Sequence, residues 1–235
     1  MRNWIDFYDS AHPIYVNAHH REVHFRRLAA DLAGYVRRGA VVLDYGCGEA
    51  LNADFVAAEA ERLILVEPAP GVRARLAARW TNEPTIEVCG PERIARLDDH
   101  SVDLIIMHSV AQYLTGEELD TVLATFRRLL KPDGMLVLGD VIDPKTSAAS
   151  DALALLRFGA RDGFFFAALV GLGRTVLSSY WRLRSSLGLT RYDEKAMIEK
   201  LAAAGFTARR AGENIGHSSA RMTFLALPAG SAAWN

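Results

Sequence analysis

Cysteine is scarce in this 235-residue chain: only Cys47 and Cys89 carry thiols, too few for a disulfide framework. One of them lies inside a glycine loop, so a reducing, cytoplasmic setting is the simplest expectation. Surplus charge is lacking too. Lys and Arg number 27 against 28 Asp and Glu, and a net charge of -1 leaves no basic excess to neutralise a row of phosphates, which excludes a general nucleic-acid binder. Met1 to Ser10 has no apolar core after its positive charge, so no signal peptide is expected. The apolar stretch beginning at Gly163 is interrupted by Arg174, and the chain must then return to finish a sheet, so a transmembrane helix is not expected either. There is no internal repeat. With 50% apolar residues the chain suits one globular domain, or one domain with an elaborated insert.

The most informative stretch runs Val41-Val42-Leu43-Asp44-Tyr45-Gly46-Cys47-Gly48-Glu49-Ala50. An apolar, β-branched run reads as a buried strand, an acid closes it, and two glycines turn the backbone tightly into a helical pattern. Glycine there lets the backbone approach a ligand, and the following helix points unpaired N–H groups at the same place. A ligand-free strand-to-helix turn is the plainer alternative. Further on, Leu51 to Ala60 reads as a helix with Phe55 and Val56 inward, and Arg62 to Glu67 as a second buried strand ending in an acid. An acid at a strand's carboxyl end, about twenty residues beyond such a loop, is where α/β folds hydrogen-bond a nucleoside ribose. Glu67 is therefore the strongest single candidate for binding.

Pro70 opens the next helix, whose face carries Val72 and Leu76, with Trp80 near its end. Thr85 to Val88 is a short third strand and Val102 to Met107 a fourth. His108-Ser109-Val110-Ala111-Gln112-Tyr113 follows directly, placing polar groups where ligands sit in open α/β sheets. Thr115-Gly116-Glu117-Glu118 is a capping box for a helix to about Leu130. Lys131-Pro132-Asp133-Gly134 then turns into a fifth strand, Met135 to Gly139, closing on Asp140.

These pieces resemble class I S-adenosylmethionine-dependent methyltransferases of the small-molecule type. The resemblance rests on Leu-Asp-Tyr-Gly-Cys-Gly (43 to 48), Leu-Val-Glu-Pro (65 to 68), Ser-Val-Asp-Leu-Ile-Ile-Met-His-Ser-Val (101 to 110) and Arg-Leu-Leu-Lys-Pro-Asp-Gly-Met-Leu-Val-Leu (128 to 138). They stand in family order and spacing, with a fainter match at Leu201 to Leu227. It implies a Rossmann-like, doubly wound α/β sheet of seven strands with the last strand antiparallel. It further implies S-adenosylmethionine as cofactor, with Gly46, Cys47 and Gly48 under its methionine portion, Asp44 beside them, and Glu67 with Pro68 at the ribose. Ser109 and His108 are implied near the transferable methyl. Two positions depart from the pattern: Ala50 stands where a third glycine is usual, and the aspartate that meets the adenine amine is replaced by Pro91, leaving Glu92 as the candidate. A nicotinamide oxidoreductase fits less well, because Leu51 stands where its loop needs a small residue. A cofactor-binding regulator without turnover is the other alternative.

The first 39 residues form an expected cap and helix. Trp4, Phe7, Tyr8, His12, Tyr15, His19, His20 and His24 precede the first strand, and Phe25, Leu28, Leu32 and Tyr35 recur at helical spacing from Asn17 to Arg38. His20 and His24 have zinc-ligand spacing, but further ligands are not evident, and a polar surface is the expectation for both. Aromatic side chains here are placed to close over a cofactor's open side.

Residues 40–143 form the expected cofactor-binding core, and residues 144–191 exceed what it requires. This insert holds seven Lys or Arg against two Asp, so it carries +5 while the remainder carries -6. It also holds Leu153, Leu155, Leu156 and Phe158, then Phe164-Phe165-Phe166, then Tyr180-Trp181. A basic, aromatic insert suits a greasy or anionic acceptor, hence a small-molecule or lipid-like one, with peripheral contact at a membrane's inner face as a further option. A lid packed on itself or on a second subunit is the structural alternative, so monomer and homodimer both stay open. Residues 192–228 supply a last helix (Asp193 to Ala204) and two strands, Phe206 to Ala211 and Arg221 to Leu227. Residues 229–235 read as a tail.

An antiparallel final strand brings the loop Gly212 to Ser219 to the same sheet edge as Glu67, His108 and Asp140, which makes His217 a candidate acceptor-site residue. If the acceptor is a hydroxyl or carbon acid, His108 and His217 are the candidate bases, with Asp140 or Tyr113 orienting. No Asn-Pro-Pro-Tyr run follows the fourth strand, so nothing here resembles base-amine methylation of nucleic acids.

Overall fold

A computed structural model describes residues 2–10, 15–176 and 188–231. His12 and the Tyr180-Trp181 group lie outside the described residues. Seven strands form one sheet in the order β3-β2-β1-β4-β5-β7-β6. They are β1 (Ala40–Tyr45), β2 (Ala60–Val66), β3 (Ile86–Cys89), β4 (Val102–His108), β5 (Leu130–Ile142), β6 (Phe206–Arg210) and β7 (Arg221–Pro228). The first five are parallel, and β7 runs antiparallel between β5 and β6. This is the doubly wound Rossmann-like sheet that the motif order implies.

Alternation along the strands builds a core on each face. Leu43, Ile64 and Ile105 point to one face, where they meet Leu119, Leu123 and Phe126 of α6 (Gly116–Leu129) and Met197 and Leu201 of the last helix, Glu194–Ala203. Val42, Leu63, Leu65, Leu104 and Ile106 point to the other. There they meet Leu32 of α2 (Ala18–Ala33), Val56 of α3 (Ala53–Ala57) and Val72 and Leu76 of α4 (Pro70–Arg79). Strands buried on both sides explain why the sequence shows continuous apolar runs rather than alternation.

Two motifs have a structural reason. The Asp103 carboxylate accepts from the Val41 N–H at 2.8 Å and from Lys131 Nζ at 2.9 Å, joining the starts of β1, β4 and β5. A Cβ at Gly134 would stand 3.1 Å from the Asp103 and Lys131 carbonyl oxygens, so the turn there needs glycine. The capping box forms as read: the Glu118 N–H donates to Thr115 Oγ1 and the Thr115 N–H to Glu118 Oε2.

Several boundaries differ from expectation. The helix read as Asn17 to Arg38 uses Asn17 as its N-cap but stops at Ala33, where Gly34 begins a turn that lays Tyr35 and Val36 on the core. The helix read from Leu51 shrinks to Ala53–Ala57, because β2 begins at Ala60, and this leaves Phe55 47% exposed rather than inward. β5 starts at Leu130 and runs through Asp140 to Ile142, since β7 offers it a partner as far as the pair Ile142–Arg221. Its register shifts between Leu138 and Val141, which places Asp140 in a bulge. Pro228 belongs to β7 rather than to a tail.

The packing yields a contrast in stability. Phe126 is fully buried and packs edge-on against Tyr45 at 5.3 Å, so Phe126→Ala is expected to cost about 3–5 kcal/mol in urea unfolding. Phe166 is 80% exposed, and Phe166→Ala is expected to stay within about 0.5 kcal/mol of the parent chain.

Candidate active site

A cavity of about 420 Å³ opens over the carboxyl ends of the central strands. Its floor is the loop after β1. Gly46 and Gly48 have φ of +75° and +60°, a region that glycine enters without steric cost. A Cβ on Gly46 would meet the Val110 side chain at 2.5 Å, whereas one on Gly48 would project into open space. Ala50 also has positive φ, +36°, so the substitution for glycine does not sit in an ordinary conformation and carries strain of about 1 kcal/mol.

Glu67 is 5% exposed and holds this loop in place. One carboxylate oxygen accepts from the Gly48 N–H at 2.9 Å, the other from the Ala69 N–H at 2.8 Å. Burial raises its pKa, and the two N–H donors and Arg73 oppose that rise. Asp44, at the end of β1, does not line the cavity, and no described group donates a hydrogen bond to its carboxylate. Burial, then the charge on Glu67, pushes its pKa up to about 7. Cys47 lines the cavity as a neutral thiol, its pKa raised by burial and then by Asp44 and Glu67.

Beyond the floor, Pro68, His108, Ser109, Tyr113, Asp140 and His217 all reach the wall, as the topology requires of groups at this edge. Glu92 does not. It is exposed on α5 (Pro91–Ile94) and lines a separate open cleft with Arg73, Arg93 and Arg96, because the short helix turns it outward.

Ser109 and Asp140 are both non-glycine residues with left-handed backbone, φ +58° and +61°. The Ser109 hydroxyl donates to Asp140 Oδ2 at 2.7 Å, joining the ends of β4 and β5. His108 Nδ1 lies 3.1 Å from the same hydroxyl, and its Nε2 lies 3.2 Å from the Ile215 carbonyl oxygen. A carbonyl only accepts, so Nε2 carries the proton and donates it there, while Nδ1 and Asp140 Oδ2 face the same Ser109 hydroxyl, which has one proton to give. His217 lies flat on Phe158, at 4.8 Å and 9° between planes, and has no hydrogen bond among the described residues. Burial lowers its pKa, with Asp140 opposing, so it stands as a neutral imidazole.

The N-terminal segment does close over the cavity. Trp4, Ile5 and Tyr8 of α1 (Arg2–Asp9) line it, and the Tyr8 hydroxyl is 2.6 Å from that of Tyr113. Asp9 accepts from the Gly71 and Val72 N–H groups at the start of α4. His20 and His24, expected on a polar surface, face inward instead, because α2 turns that side toward the insert and His20 stacks on Phe164 at 4.7 Å.

The insert begins with α7 (Ala148–Asp162) and α8 (Phe165–Val176). It presents Ala152, Leu155 and Leu172 to the cavity, not the phenylalanine run: Phe164 is buried between helices, and Phe165 and Phe166 face solvent. The insert's cavity-facing charge is an acid, Asp151, paired with Arg221 at 3.0 and 3.2 Å. Arg221 also reaches Asp140 at 3.5 Å. Neither Arg221 nor Asp151 stood out in the sequence, since nothing local marks a pairing across 70 residues.

Residues 43–138 match the family described as a methyltransferase domain. Among curated proteins none matches the chain in sequence. Solved structures share the fold. The N-methyltransferase NodS from Bradyrhizobium japonicum, in complex with S-adenosyl-L-homocysteine, is 18% identical over 97% of both chains, with a TM-score of 0.59. The DhpI complex with the same compound is 13% identical over 89% of this chain and 84% of that one, with a TM-score of 0.54. The CurJ carbon methyltransferase is 18% identical over 82% of this chain and 49% of that one, with a TM-score of 0.53. Residues 43–138 are thus similar to a methyltransferase domain, and the whole chain has the fold of class I S-adenosylmethionine-dependent methyltransferases. S-adenosylmethionine is the cofactor that this domain family uses.

The buried histidines make stability depend on pH. Burial lowers His20 to about 4 and His24 to about 3 from the usual 6.5, with neighbouring histidines adding to the shift. The unfolded chain therefore takes up protons as pH falls below about 6.5 while the folded chain does not, and stability is lost from there toward pH 4. Asp44 acts in the opposite sense, stabilising the fold at low pH and losing that contribution as pH rises through about 7. Comparing the parent chain with His20→Gln/His24→Gln cancels the Asp44 contribution. Between pH 7.5 and 5, urea unfolding is expected to show the parent losing roughly 4 kcal/mol more than the double variant, about 2 for each histidine.

Proposed function

We propose that this protein methylates a small, largely apolar acceptor that carries no negative charge, through a hydroxyl or amine hydrogen facing His217 and Asp140. The observation that supports this reading is the wall of the acceptor end: Phe25, Leu155, Leu172 and Leu189 around the carboxylates of Asp140 and Asp151, which both reach Arg221. The insert's arginines at 157, 161 and 174 are exposed, so they do not favour an anionic acceptor inside.

The cofactor end fits its ligand in charge and in shape. Glu67 uses one lone pair on each oxygen to hold the loop and keeps others for vicinal ribose hydroxyls. The open space above Gly48 accommodates the methionine portion, and the carboxylate of Glu67 complements a cationic ligand. S-adenosylmethionine supplies a methyl on a sulfonium already activated for displacement. The chain's own work is then to align the acceptor, exclude water and receive one proton. His217 is free to take that proton on a ring nitrogen and pass it to solvent, while His108, held through Nε2 by the Ile215 carbonyl, stands beside the Ser109–Asp140 pair. The helix α1, tied through Tyr8 and Asp9, closes the cofactor side.

Incubation with methyl-tritiated cofactor and a cell extract, separated into solvent-extractable small molecules and macromolecules, is expected to place label in the small-molecule fraction. Label confined to protein or nucleic acid would overturn the reading, as would tight cofactor binding with no label anywhere. In calorimetry Glu67→Ala is expected to weaken cofactor binding by about 1.5–3 kcal/mol, and unchanged affinity would remove Glu67 from the site. On the labelled product, His217→Asn is expected to lower kcat about 10²-fold or more with cofactor affinity retained, whereas equal turnover would exclude it as the base.

A further inference from the structure

The exposed arginines of the α7–α8 hairpin do not line the cavity. Among the described residues of the α7–α8 hairpin, the exposed charges are Arg157, Arg161 and Arg174, all cationic. Its two acids are half-buried, Asp151 being held by Arg221. Beside the arginines, α8 exposes Phe166 (80%), Leu169 (53%) and Val170 (54%), which the i, i+3, i+4 spacing places on one face. The inner side of the hairpin is already satisfied: Phe158, Phe164 and Ala168 pack with Val23 of α2 in a cluster of their own. So α8 is apolar on two sides, and among the described residues one of them packs in the fold while the other is exposed. A contiguous exposed apolar face of this kind marks an interaction surface.

We propose that the outer face of α7 and α8 docks on an anionic lipid bilayer, with Phe166, Leu169 and Val170 entering the headgroup boundary and Arg157, Arg161 and Arg174 meeting the negative surface. Charge selects this occupant. A second copy of the chain in an isologous contact would bring the same three arginines together. Anionic headgroups over acyl chains supply both complements at once. No described helix is long and apolar enough to cross a membrane, so the contact is peripheral. Leu155 and Leu172 line the cavity from the inner side of this hairpin, so a docked face backs onto the acceptor end. The surface stands whichever acceptor the cavity takes.

Sedimentation with vesicles of phosphatidylcholine containing 30 mol% phosphatidylglycerol, against pure phosphatidylcholine, tests it in the full chain. The expected result is binding to the anionic vesicles only, weakened by salt, by about fivefold for each of Arg157→Ala and Arg161→Ala, and abolished in Phe166→Asp/Leu169→Asp. Those positions are exposed, so the double variant is expected to keep its melting curve and its cofactor affinity in calorimetry. Equal partition to both vesicles, no partition, or wild-type partition of the double variant would each overturn the proposal. So would light scattering that shows a dimer dissociated by the double variant without any vesicle binding.

Discussion

The site depends on one buried carboxylate. Glu67 stands at the end of β2, where desolvation works against its charge, and the fold answers with two backbone N–H donors from loops on either side. Gly48 can present its N–H only because a left-handed backbone is open to glycine, and Ala69 presents its own because Pro70 then starts α4. The same bonds that keep the charge in place also set the shape of the loop below the cavity. Loop, acid and helix therefore stand or fall together, which is why they occur at fixed spacing in the sequence.

That spacing made the core legible. The apolar runs of β1, β2 and β4, the acids that close them and the Asp103–Lys131 tie are local or regularly spaced, and each has a physical reason visible in the strand ends. The acceptor end was less so. His20 and His24 have the spacing of a polar helix face, and only the packing of Phe158 and Phe164 against α2 turns them inward. The Phe164-Phe165-Phe166 run reads as one apolar block, yet helical geometry sends its members in different directions. Glu92 was placed by counting along a motif, and a four-residue helix is enough to turn it away. Arg221 joins Asp140 and Asp151 across β7, β5 and α7, a contact set by topology alone.

The insert shows why net charge is a poor guide to a binding site without geometry. Its excess of arginine suits an anionic ligand when read as composition. Among its described residues the arginines face solvent, and the charged side chain that lines the cavity is an acid, Asp151. Composition gave the right surface property and the wrong surface. The insert lines the cavity with Ala152, Leu155 and Leu172 beside Asp151, while the outside of the same two helices carries Arg157, Arg161 and Arg174.

Backbone strain gives a last link between fold and chemistry. Ser109 and Asp140 each adopt a left-handed conformation that costs a non-glycine residue about 1–2 kcal/mol, and they do so at facing ends of adjacent strands. Their side chains meet at 2.7 Å, and Arg221 holds the same Asp140 oxygen from the other side. The bulge in β5 exists because β7 pairs antiparallel on both sides of it, so the antiparallel strand keeps Asp140 turned toward the cavity. A fold that merely needed to pair β5 with β7 gains nothing from that bulge. A site that needs a fixed carboxylate opposite a free imidazole does.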